Sequence, residues 1–252
     1  MYAIISDIHS NIEALTAVME DIKSLNAEEI LCLGDVVGYG PSPEECIDVV
    51  EKSCRFCLSG NHDYAVLTRA ERFNPLAEEA VEFTRRRLKP KWYSLGRKRD
   101  RWSFLLNQFE QKREHDILYV HGSPRDPRNE YILETDITFG NLDKIEEIFE
   151  LVPRYCFVGH THVPGVITEN FEFLAPADFE SKLDLEQGKK YLINVGAVGQ
   201  PRDGDNRACY VTVEDNHIEY RRPEYDYVKT MDKMANVGPI SKEAAERLEQ
   251  GR

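Results

Sequence analysis

The sequence predicts an α/β fold, a β-sheet core with helices packed outside it. Short apolar runs alternate with helical stretches through the first two thirds of the chain. Several of these runs end in a cluster of Asp, Asn or His residues, and the last third reads as successive strands. Such alternation is typical of sheets covered by helices, and 252 residues are enough to bury a substantial core.

The first elements are defined by strand-like runs and by helix caps. Residues 2–6 form a predicted strand, and residues 30–33 form a second strand that ends at Gly34 and Asp35. Asn11 is the expected N-cap of a helix whose apolar residues recur at helical spacing. Ser42 followed by Pro43 and a glutamate at the third helical position predicts the next helix start.

The remaining elements complete a single predicted domain over residues 1–252. Further strands are expected at residues 56–58, 117–120, 155–158, 191–195, 208–213 and 217–220. Helices are expected after the Asn74 cap, over residues 142–151, and over residues 241–250, where a short charged helix is predicted to be peripheral. Residues 64–115 are far more than a typical connection between two elements needs, and we interpret them as a helical insertion.

The composition excludes several classes of protein. Hydrophobic residues make up 41% and charged residues 31% of the chain, which fits a globular protein. No apolar run approaches the roughly 20 residues needed to cross a bilayer, and the N-terminus does not resemble a secretory signal. A net charge of −13 argues against bulk nucleic-acid binding.

The cysteines indicate the cellular location. Four of the six lie in or beside apolar runs, and the CxxC of Cys54 and Cys57 is interpreted as part of a strand. We therefore expect reduced thiols and a cytoplasmic location.

Five predicted strand ends carry side chains of the types that bind metals. The carboxyl ends of strands gather at one edge of an α/β sheet, so residues distant in sequence can converge there. Each residue alone could be an ordinary core or turn residue. Five strand ends that all carry such residues, four of them with an adjacent glycine, favour a metal site. The residues are Asp7 with His9, Asp35, Asn61 with His62, His121, and His160 with His162.

The ordered motifs resemble the signature of the calcineurin-like metallophosphoesterase superfamily. They are Asp7-x-His9, Gly34-Asp35, Gly60-Asn61-His62-Asp63, His121-Gly122 and Gly159-His160-Thr161-His162. Residues 194–204 are similar to the closing loop of a bacterial and archaeal phosphodiesterase-like branch, with Ala197 where a serine is common. The resemblance implies a four-layer α-β-β-α sandwich with two facing mixed sheets.

The resemblance also implies two metal ions and a division of the ligands between them. Asp7, His9 and His162 would complete one metal, Asn61, His121 and His160 the other, and Asp35 would bridge both. Mixed nitrogen and oxygen ligands suit Mn, Fe, Zn, Ni or Co better than Mg or Ca. A metal-bridging hydroxide would attack the phosphorus of a small phosphate-ester substrate. His62 would protonate the leaving oxygen, with Asp63 orienting its ring.

Residues around this centre are weaker candidates. Arg202 lies in a Gly/Pro-rich loop and could bind a phosphate oxygen or only a surface carboxylate. Asn11 could contact substrate or only cap its helix. The basic run over residues 85–101 reads as a solvated surface, or as a basic rim over the metal site that selects nucleotide-like substrates.

Three functions compete. The first is a phosphodiesterase or phosphatase for a small, nucleotide-like substrate. The second is a protein Ser/Thr phosphatase or a dinucleoside polyphosphate hydrolase of the same superfamily, which usually show an Asp-Arg pair after the second motif and Glu in place of Asp63. The third is a non-catalytic scaffold, which would tend to lose ligands or the catalytic histidine that this chain retains.

Overall fold

The computed structural model describes residues 1–70, 73–237 and 242–252 and shows two stacked six-stranded sheets between helices. The four-layer α/β fold is therefore confirmed. The strands are β1 (Tyr2–Ile5), β2 (Glu29–Cys32), β3 (Phe56–Cys57), β4 (Gln111–Glu114), β5 (Ile117–Val120), β6 (Tyr155–Val158), β7 (Gly165–Thr168), β8 (Phe173–Leu174), β9 (Lys182–Asp184), β10 (Tyr191–Asn194), β11 (Tyr210–Glu214) and β12 (His217–Arg221). The helices are α1 (Ile12–Ser24), α2 (Pro43–Ser53), α3 (Asn61–Leu67), α4 (Pro75–Leu88), α5 (Arg97–Leu106), α6 (Glu134–Thr138), α7 (Leu142–Leu151), α8 (Tyr227–Asn236) and α9 (Lys242–Gln250).

Both ends of the chain contribute to the first sheet, whose order is β3-β2-β1-β11-β12-β9. Strand β1 pairs in parallel with β2 and antiparallel with β11. The second sheet has the order β4-β5-β6-β10-β7-β8, with β5, β6 and β10 parallel. Each sheet thus contains three parallel strands whose carboxyl ends can deliver side chains to one edge.

The core has three layers because side chains of a strand alternate between its two faces. Ala3 and Ile5 of β1 pack against the helices that cover the first sheet, including Leu15 of α1. Ile4, between them, faces the second sheet and packs in a cluster with Phe157 of β6. The outer face of the second sheet is covered mainly by α7.

All eight predicted strands are present, and the four missed ones lie at sheet edges or in short hairpins. Strand β4 consists of Gln-Lys-Arg-Glu and carries no apolar signal, because an edge strand with solvent on one side needs none. The caps of α1 and α4 are confirmed, since Asn11 accepts from the backbone N–H of Ala14 and Asn74 from that of Ala77. Ser42 begins α2 without a side-chain capping bond.

The C-terminal helix is not peripheral, contrary to the prediction. Ala244, Ala245 and Leu248 of α9 are buried against Met234 of α8 and Phe83 of α4. The apolar face of α9 was hidden in the sequence by its many charges, most of which are exposed to solvent. Its predicted first residue, Ser241, lies outside the described residues.

No helix in the described part of the chain is long and apolar enough to cross a membrane.

Candidate metal centre

The predicted ligands converge where the strand ends of the two sheets meet. Asp7, His9, Asp35 and Asn61 follow strands of the first sheet, whereas His121, His160 and His162 follow strands of the second. His121 Nε2 lies 3.3 Å from Asp35 Oδ2, and His162 Nε2 lies 3.2 Å from Asp7 Oδ1. All of these Asp and His side chains are buried. The structure therefore brings together residues that are up to 155 positions apart in the chain.

Five of the candidate ligands have a left-handed backbone. Non-glycine residues rarely adopt positive φ, although Asp and His tolerate it better than most. Each such residue costs about 1–3 kcal/mol, which the surrounding structure must offset. Strained residues of this kind cluster at functional sites. The five are Asp7 (φ 53°), His9 (48°), Asp35 (50°), His160 (67°) and His162 (62°).

Backbone carbonyls select the tautomer of the histidines. Nδ1 of His9 lies 3.2 Å from the carbonyl of Val37, and Nδ1 of His162 lies 2.6 Å from that of Gln200. A carbonyl only accepts hydrogen bonds, so each Nδ1 carries the proton and each Nε2 presents a lone pair to the site. His121 follows the same pattern, with its Nδ1 3.2 Å from the carbonyl of Leu33.

His160 is oriented the other way. Its Nε2 lies 3.1 Å from the carbonyl of Asn129, which leaves Nδ1 to face the site. The ring of Tyr131 stacks on this imidazole with 3.9 Å between ring centroids. Four imidazoles thus direct the ring nitrogen that the backbone does not occupy at one region, an arrangement that suits a metal ion.

One oxygen of each aspartate is held by the backbone, and the other faces the imidazoles. Asp7 Oδ2 accepts from the backbone N–H of His160 at 3.0 Å, and Asp35 Oδ1 accepts from that of His62 at 2.8 Å. Asp7 Oδ1 is buried and has no hydrogen-bond partner within the described chain. A buried carboxylate oxygen without a donor needs a cation. The residues present therefore fit a metal site.

The donor atoms form groups compact enough to hold ions. One group is Asp7, His9 and His162, and a second is Asp35, His121 and His160. A third group joins His9 and Asp35 with His62. Within each group the candidate donor atoms lie within 4.8 Å of one another. Asn61 adds an amide oxygen, since its Oδ1 lies 3.2 Å from His121 Nε2.

The protonation states are those expected of a site prepared for cations. Burial lowers the pKa of His160 to about 3, so its imidazole is neutral. Burial also acts to lower the pKa of His121, but the carboxylates of Asp35 and Asp7 outweigh it and hold that pKa at about 9. A proton on His121 thus supplies positive charge between the two carboxylates when no metal is bound. A bound metal ion would displace this proton.

His62 lies beside these groups and depends on a glycine. Its ring packs against Tyr39, with 4.7 Å between centroids, and edge-on against Phe73 at 4.9 Å. Gly38 has φ +114°, and a Cβ there would lie 2.6 Å from His62 Nδ1 and 3.0 Å from His9 Nδ1. Burial lowers the pKa of His62 to about 4, so the free imidazole is neutral.

Asp63 does not orient the ring of His62, and that prediction is wrong. His62 Nδ1 has no hydrogen-bond partner among the residues the structure describes. Asp63 instead accepts from the backbone N–H groups of Val36, Val37 and Gly60. It is the third residue of α3, so its carboxylate turns back toward the helix N-terminus and fastens the loop that follows Asp35.

Asn11 makes several hydrogen bonds within the protein. Its Oδ1 accepts from the backbone N–H of Ala14 and from the hydroxyl of Thr230, and its Nδ2 donates to the carbonyl of Gly199 at 2.9 Å. The side chain is buried. These contacts confirm the alternative, a helix cap, and occupy one of the two N–H groups of the amide; substrate binding by Asn11 stays a prediction.

A cavity of about 800 Å³ opens beside the site, and we call it the metal-site cavity. Its wall includes Asn61, His62 and His160 from the motifs, and Phe73, Arg128 and Tyr131 from intervening segments. Sequence reasoning singled out neither Phe73 nor Tyr131. Arg128, which follows the His121-Gly122 motif closely in the chain, lines this cavity and contacts Glu110 at 3.0 Å.

The basic run does not form a rim over the metal site. Arg97 and Arg101 of α5 pair with Asp48 of α2, and Arg87 pairs with Glu44 at 2.8 Å. None of residues 85–101, all of them described, lines the metal-site cavity. The geometry does not support the rim hypothesis, because Arg87, Arg97 and Arg101 pair with carboxylates of α2 instead. Composition cannot reveal such a partnership between segments.

Comparison with known proteins agrees with this geometry. An uncharacterized protein of Methanocaldococcus jannaschii is 36% identical over 257 residues, which span 100% of this chain and 98% of that protein. The crystal structure of a metallophosphoesterase from Sphaerobacter thermophilus is 34% identical, covers 100% of this chain and 98% of its own, and gives a TM-score of 0.81. A hypothetical protein from Pyrococcus horikoshii shares the fold, with a TM-score of 0.73 at 19% identity over 100% and 99% of the two chains.

The family model described as the calcineurin-like phosphoesterase superfamily domain matches residues 1–216. This match includes every candidate metal ligand. Members of this family depend on divalent metals, and the clustered Asp and His side chains supply suitable ligands. The chain belongs to the calcineurin-like phosphoesterase superfamily and is a metal-dependent hydrolase of phosphoric esters.

Proposed function

We propose that the protein uses two metal ions to hydrolyse a small, nucleotide-like phosphate ester, as a phosphodiesterase or phosphatase. The observation that carries the proposal is the position of Asp35. Its Oδ2 lies 3.6 Å from His9 Nε2 and 3.3 Å from His121 Nε2. Those two histidines belong to different proposed ligand sets, so the Asp35 carboxylate lies within reach of both sets.

The donor groups support the division of ligands. Asp7, His9 and His162 would hold one ion, and Asn61, His121 and His160 the other, with Asp35 shared. Nitrogen and oxygen donors of this mixture favour Mn, Fe, Zn, Ni or Co. Bound divalent ions supply Lewis-acid polarisation of the phosphoryl group and a water acidified toward neutral pH.

We assign His62 to the leaving group. It lines the metal-site cavity, and neither of the two ligand sets needs it. Because its free imidazole is neutral, it would donate from a ring N–H, or take up a proton once an anionic substrate arrives. Asp63 is then a positioning residue, because it holds the loop after Asp35 and the start of α3 in place.

The cavity supports a small substrate with an aromatic part. Its volume of about 800 Å³ falls within the range of about 300–1,000 Å³ typical of small-molecule sites. Tyr131 and Phe73 offer ring faces, and Arg128 offers positive charge beside them. Arg202, whose guanidinium lies 5.8 Å from the ring centroid of Tyr39, would bind a phosphate oxygen.

The same features support proposals on the insertion, the cellular location and the number of domains. The first part of the proposed insertion over residues 64–115 supplies cavity residues such as Thr68 and Phe73, so it would select substrates without taking part in the chemistry. The six free cysteines are compatible with the reducing cytoplasm, where we place the protein. Both halves of the chain share the first sheet, which supports one domain over residues 1–252.

The experiment combines metal analysis with a substrate screen. The protein is refolded with each metal in turn and tested on phosphomonoesters, phosphodiesters, dinucleoside polyphosphates and a phosphopeptide. We expect two ions per chain and a preference for a nucleotide-like ester. In the Asp35→Asn variant both ions should be weakened and hydrolysis abolished.

The matched control is Asp143→Asn, which makes the same change on the exposed first turn of α7. It should retain both ions and full activity. Two tightly bound ions in the Asp35→Asn protein would remove the bridging role. A preference for the phosphopeptide would replace the small-molecule function by a protein phosphatase.

A further inference from the structure

The C-terminal helices lie beyond the part of the chain that the family model matches, yet they stand next to the metal centre. The model ends at residue 216, whereas α8 begins at Tyr227. The hydroxyl of Thr230 donates to Asn11 Oδ1 at 3.1 Å. Leu248 of α9 lines a small gap that also touches His9. This segment is therefore a structural part of the site.

Helix α9 also forms one wall of a second cavity of about 460 Å³, which we call the C-terminal cleft. Its opposite wall contains Tyr39, Tyr131 and Asn74, which line the metal-site cavity as well. The charged residues around the cleft are Arg202, Glu243, Glu246, Arg247 and Arg252. The two cavities thus adjoin at the rings that pack on His9 and His160.

The arginines of the cleft are held in place from several directions. The backbone N–H of Gly204 donates to the carbonyl of Gly251 at 3.0 Å, which joins the loop of Arg202 to the end of α9. Arg247 forms an ion pair with Glu243 one turn earlier at 2.7 Å. The guanidinium of Arg202 lies 5.8 Å from the ring centroid of Tyr39, and Arg247 lines the same cleft.

The cleft has three arginines against two glutamates, a small excess of positive charge in a chain of net charge −13. Among the described residues, Arg247 is the one cleft arginine that pairs with a carboxylate, that of Glu243. Arg202 donates to the neutral Gln200 side chain at 2.9 Å. An anion in the cleft would therefore gain charge-assisted hydrogen bonds without first breaking the Glu243 pair.

We propose that the C-terminal cleft is a second anion-binding subsite, and that the substrate carries an anionic group in addition to the phosphate being cleaved. The substrate class is then a nucleotide with two separate phosphate groups. One phosphate lies at the metals, the aromatic base lies in the metal-site cavity, and the second phosphate meets Arg202 and Arg247. This inference rests on the proposed function and deepens it.

The test uses two chromogenic esters with the same leaving group. They are the p-nitrophenyl ester of thymidine 5′-phosphate and the same ester with an added 3′-phosphate. The wild-type protein should have the lower KM for the ester with the 3′-phosphate. Arg247→Gln should raise that KM about tenfold, the size of one lost charge-assisted hydrogen bond. The KM of the other ester and both kcat values should stay near wild type.

A binding measurement provides a second readout that does not depend on turnover. Calorimetry on the metal-loaded protein compares thymidine 3′,5′-bisphosphate with thymidine 5′-monophosphate. The wild type should bind the bisphosphate more tightly, and Arg247→Gln should lose most of this preference. Arg113→Gln, on the exposed edge strand β4, should retain it.

Glu243→Gln separates a ligand-binding role from a structural one, because it breaks the same ion pair and leaves Arg247 free. We expect this variant to keep or strengthen the preference for the bisphosphate. The proposal is overturned if the wild type has no such preference, if Arg247→Gln retains it, or if Glu243→Gln loses it equally. If neither ester is hydrolysed but the binding preference appears as expected, the diesterase function fails and the subsite stands.

Discussion

The Nε2 atoms of His9 and His162 face each other at 3.0 Å across the junction of the two sheets. Their Nδ1 atoms are occupied by backbone carbonyls, so two lone pairs oppose one another in a buried place. Such an arrangement is unfavourable until a cation or a proton lies between the rings. Metal binding should therefore stabilise the fold as well as supply the chemistry.

Added Mn²⁺ should raise the thermal stability of the metal-free protein. A ligand that binds only the folded state at 100 times its Kd adds about 2.7 kcal/mol to the free energy of unfolding. The measurement is the unfolding midpoint by scanning calorimetry after chelation and re-addition of metal. Ca²⁺ at the same concentration should have a smaller effect, because imidazole is a poor ligand for it. Equal midpoints with and without Mn²⁺ would contradict the argument.

Replacing His62 should impair chemistry rather than metal binding. His62→Ala should keep its metals and lose at least about 100-fold in turnover, the low end for a lost general acid. A substrate with a very good leaving group should be affected less, because its departing oxygen needs no proton. Metal content and the dependence of rate on leaving-group pKa are measured together.

The control is His217→Ala, which removes an exposed histidine paired with Asp184 and should leave both quantities unchanged. His62 also belongs to one of the compact donor groups. Loss of an ion from His62→Ala would therefore assign His62 to coordination, and an equal rate penalty for every leaving group would withdraw its role as proton donor.

Gly38 should be essential for the arrangement of the two histidines beside it. In Gly38→Ala the new Cβ would lie 2.6 Å from His62 Nδ1, with φ +114° adding backbone strain. We expect at least a tenfold loss of kcat, because His62 must shift from its place in the cavity. Kinetics and metal content report the effect.

Gly188→Ala is the matched control, since Gly188 also has positive φ, +82°, but its Cβ would meet nothing within 4 Å. It should cost only about 1–2 kcal/mol of stability through the backbone. If both variants lose activity alike, the steric contact with His62 is not the cause.

Two arginines that look equivalent in the sequence should behave differently. Arg128 lines the metal-site cavity, with its guanidinium 4.5 Å from the ring centroid of Tyr64. Arg101 pairs with Asp48 at 2.6 Å and lines no part of that cavity. Arg128→Gln should raise KM for a nucleotide-like ester severalfold, because it removes a positive charge beside the substrate.

Arg101→Gln should leave KM unchanged and lower the free energy of unfolding by at most about 1 kcal/mol, as is usual for ion pairs near the surface. Steady-state kinetics and urea unfolding of both proteins check the contrast. A raised KM in Arg101→Gln would restore a role for the basic run in substrate binding.

The sequence alone determined the class of fold and pointed to the residues that cluster at the candidate metal centre. Its strands are short apolar runs, and a ligand such as Asp35 or His121 directly follows the strand that places it. These are local patterns, and the carboxyl ends of parallel strands meet whatever the details of packing. For the same reason the caps at Asn11 and Asn74 were predictable, because a cap involves only its own helix.

Only the tertiary structure decided which polar side chains remain available for function. Asn11 contacts Thr230, 219 positions away, and Arg101 contacts Asp48, 53 positions away. Asp63 serves the loop after Asp35 instead of the neighbouring His62, because the helix that starts at Asn61 turns its carboxylate backward. Whether a polar group contacts a ligand or another part of the protein depends on long-range packing. The local sequence pattern does not predict that packing. The same packing brings α9, a charged helix at the end of the chain, to the edge of the metal centre.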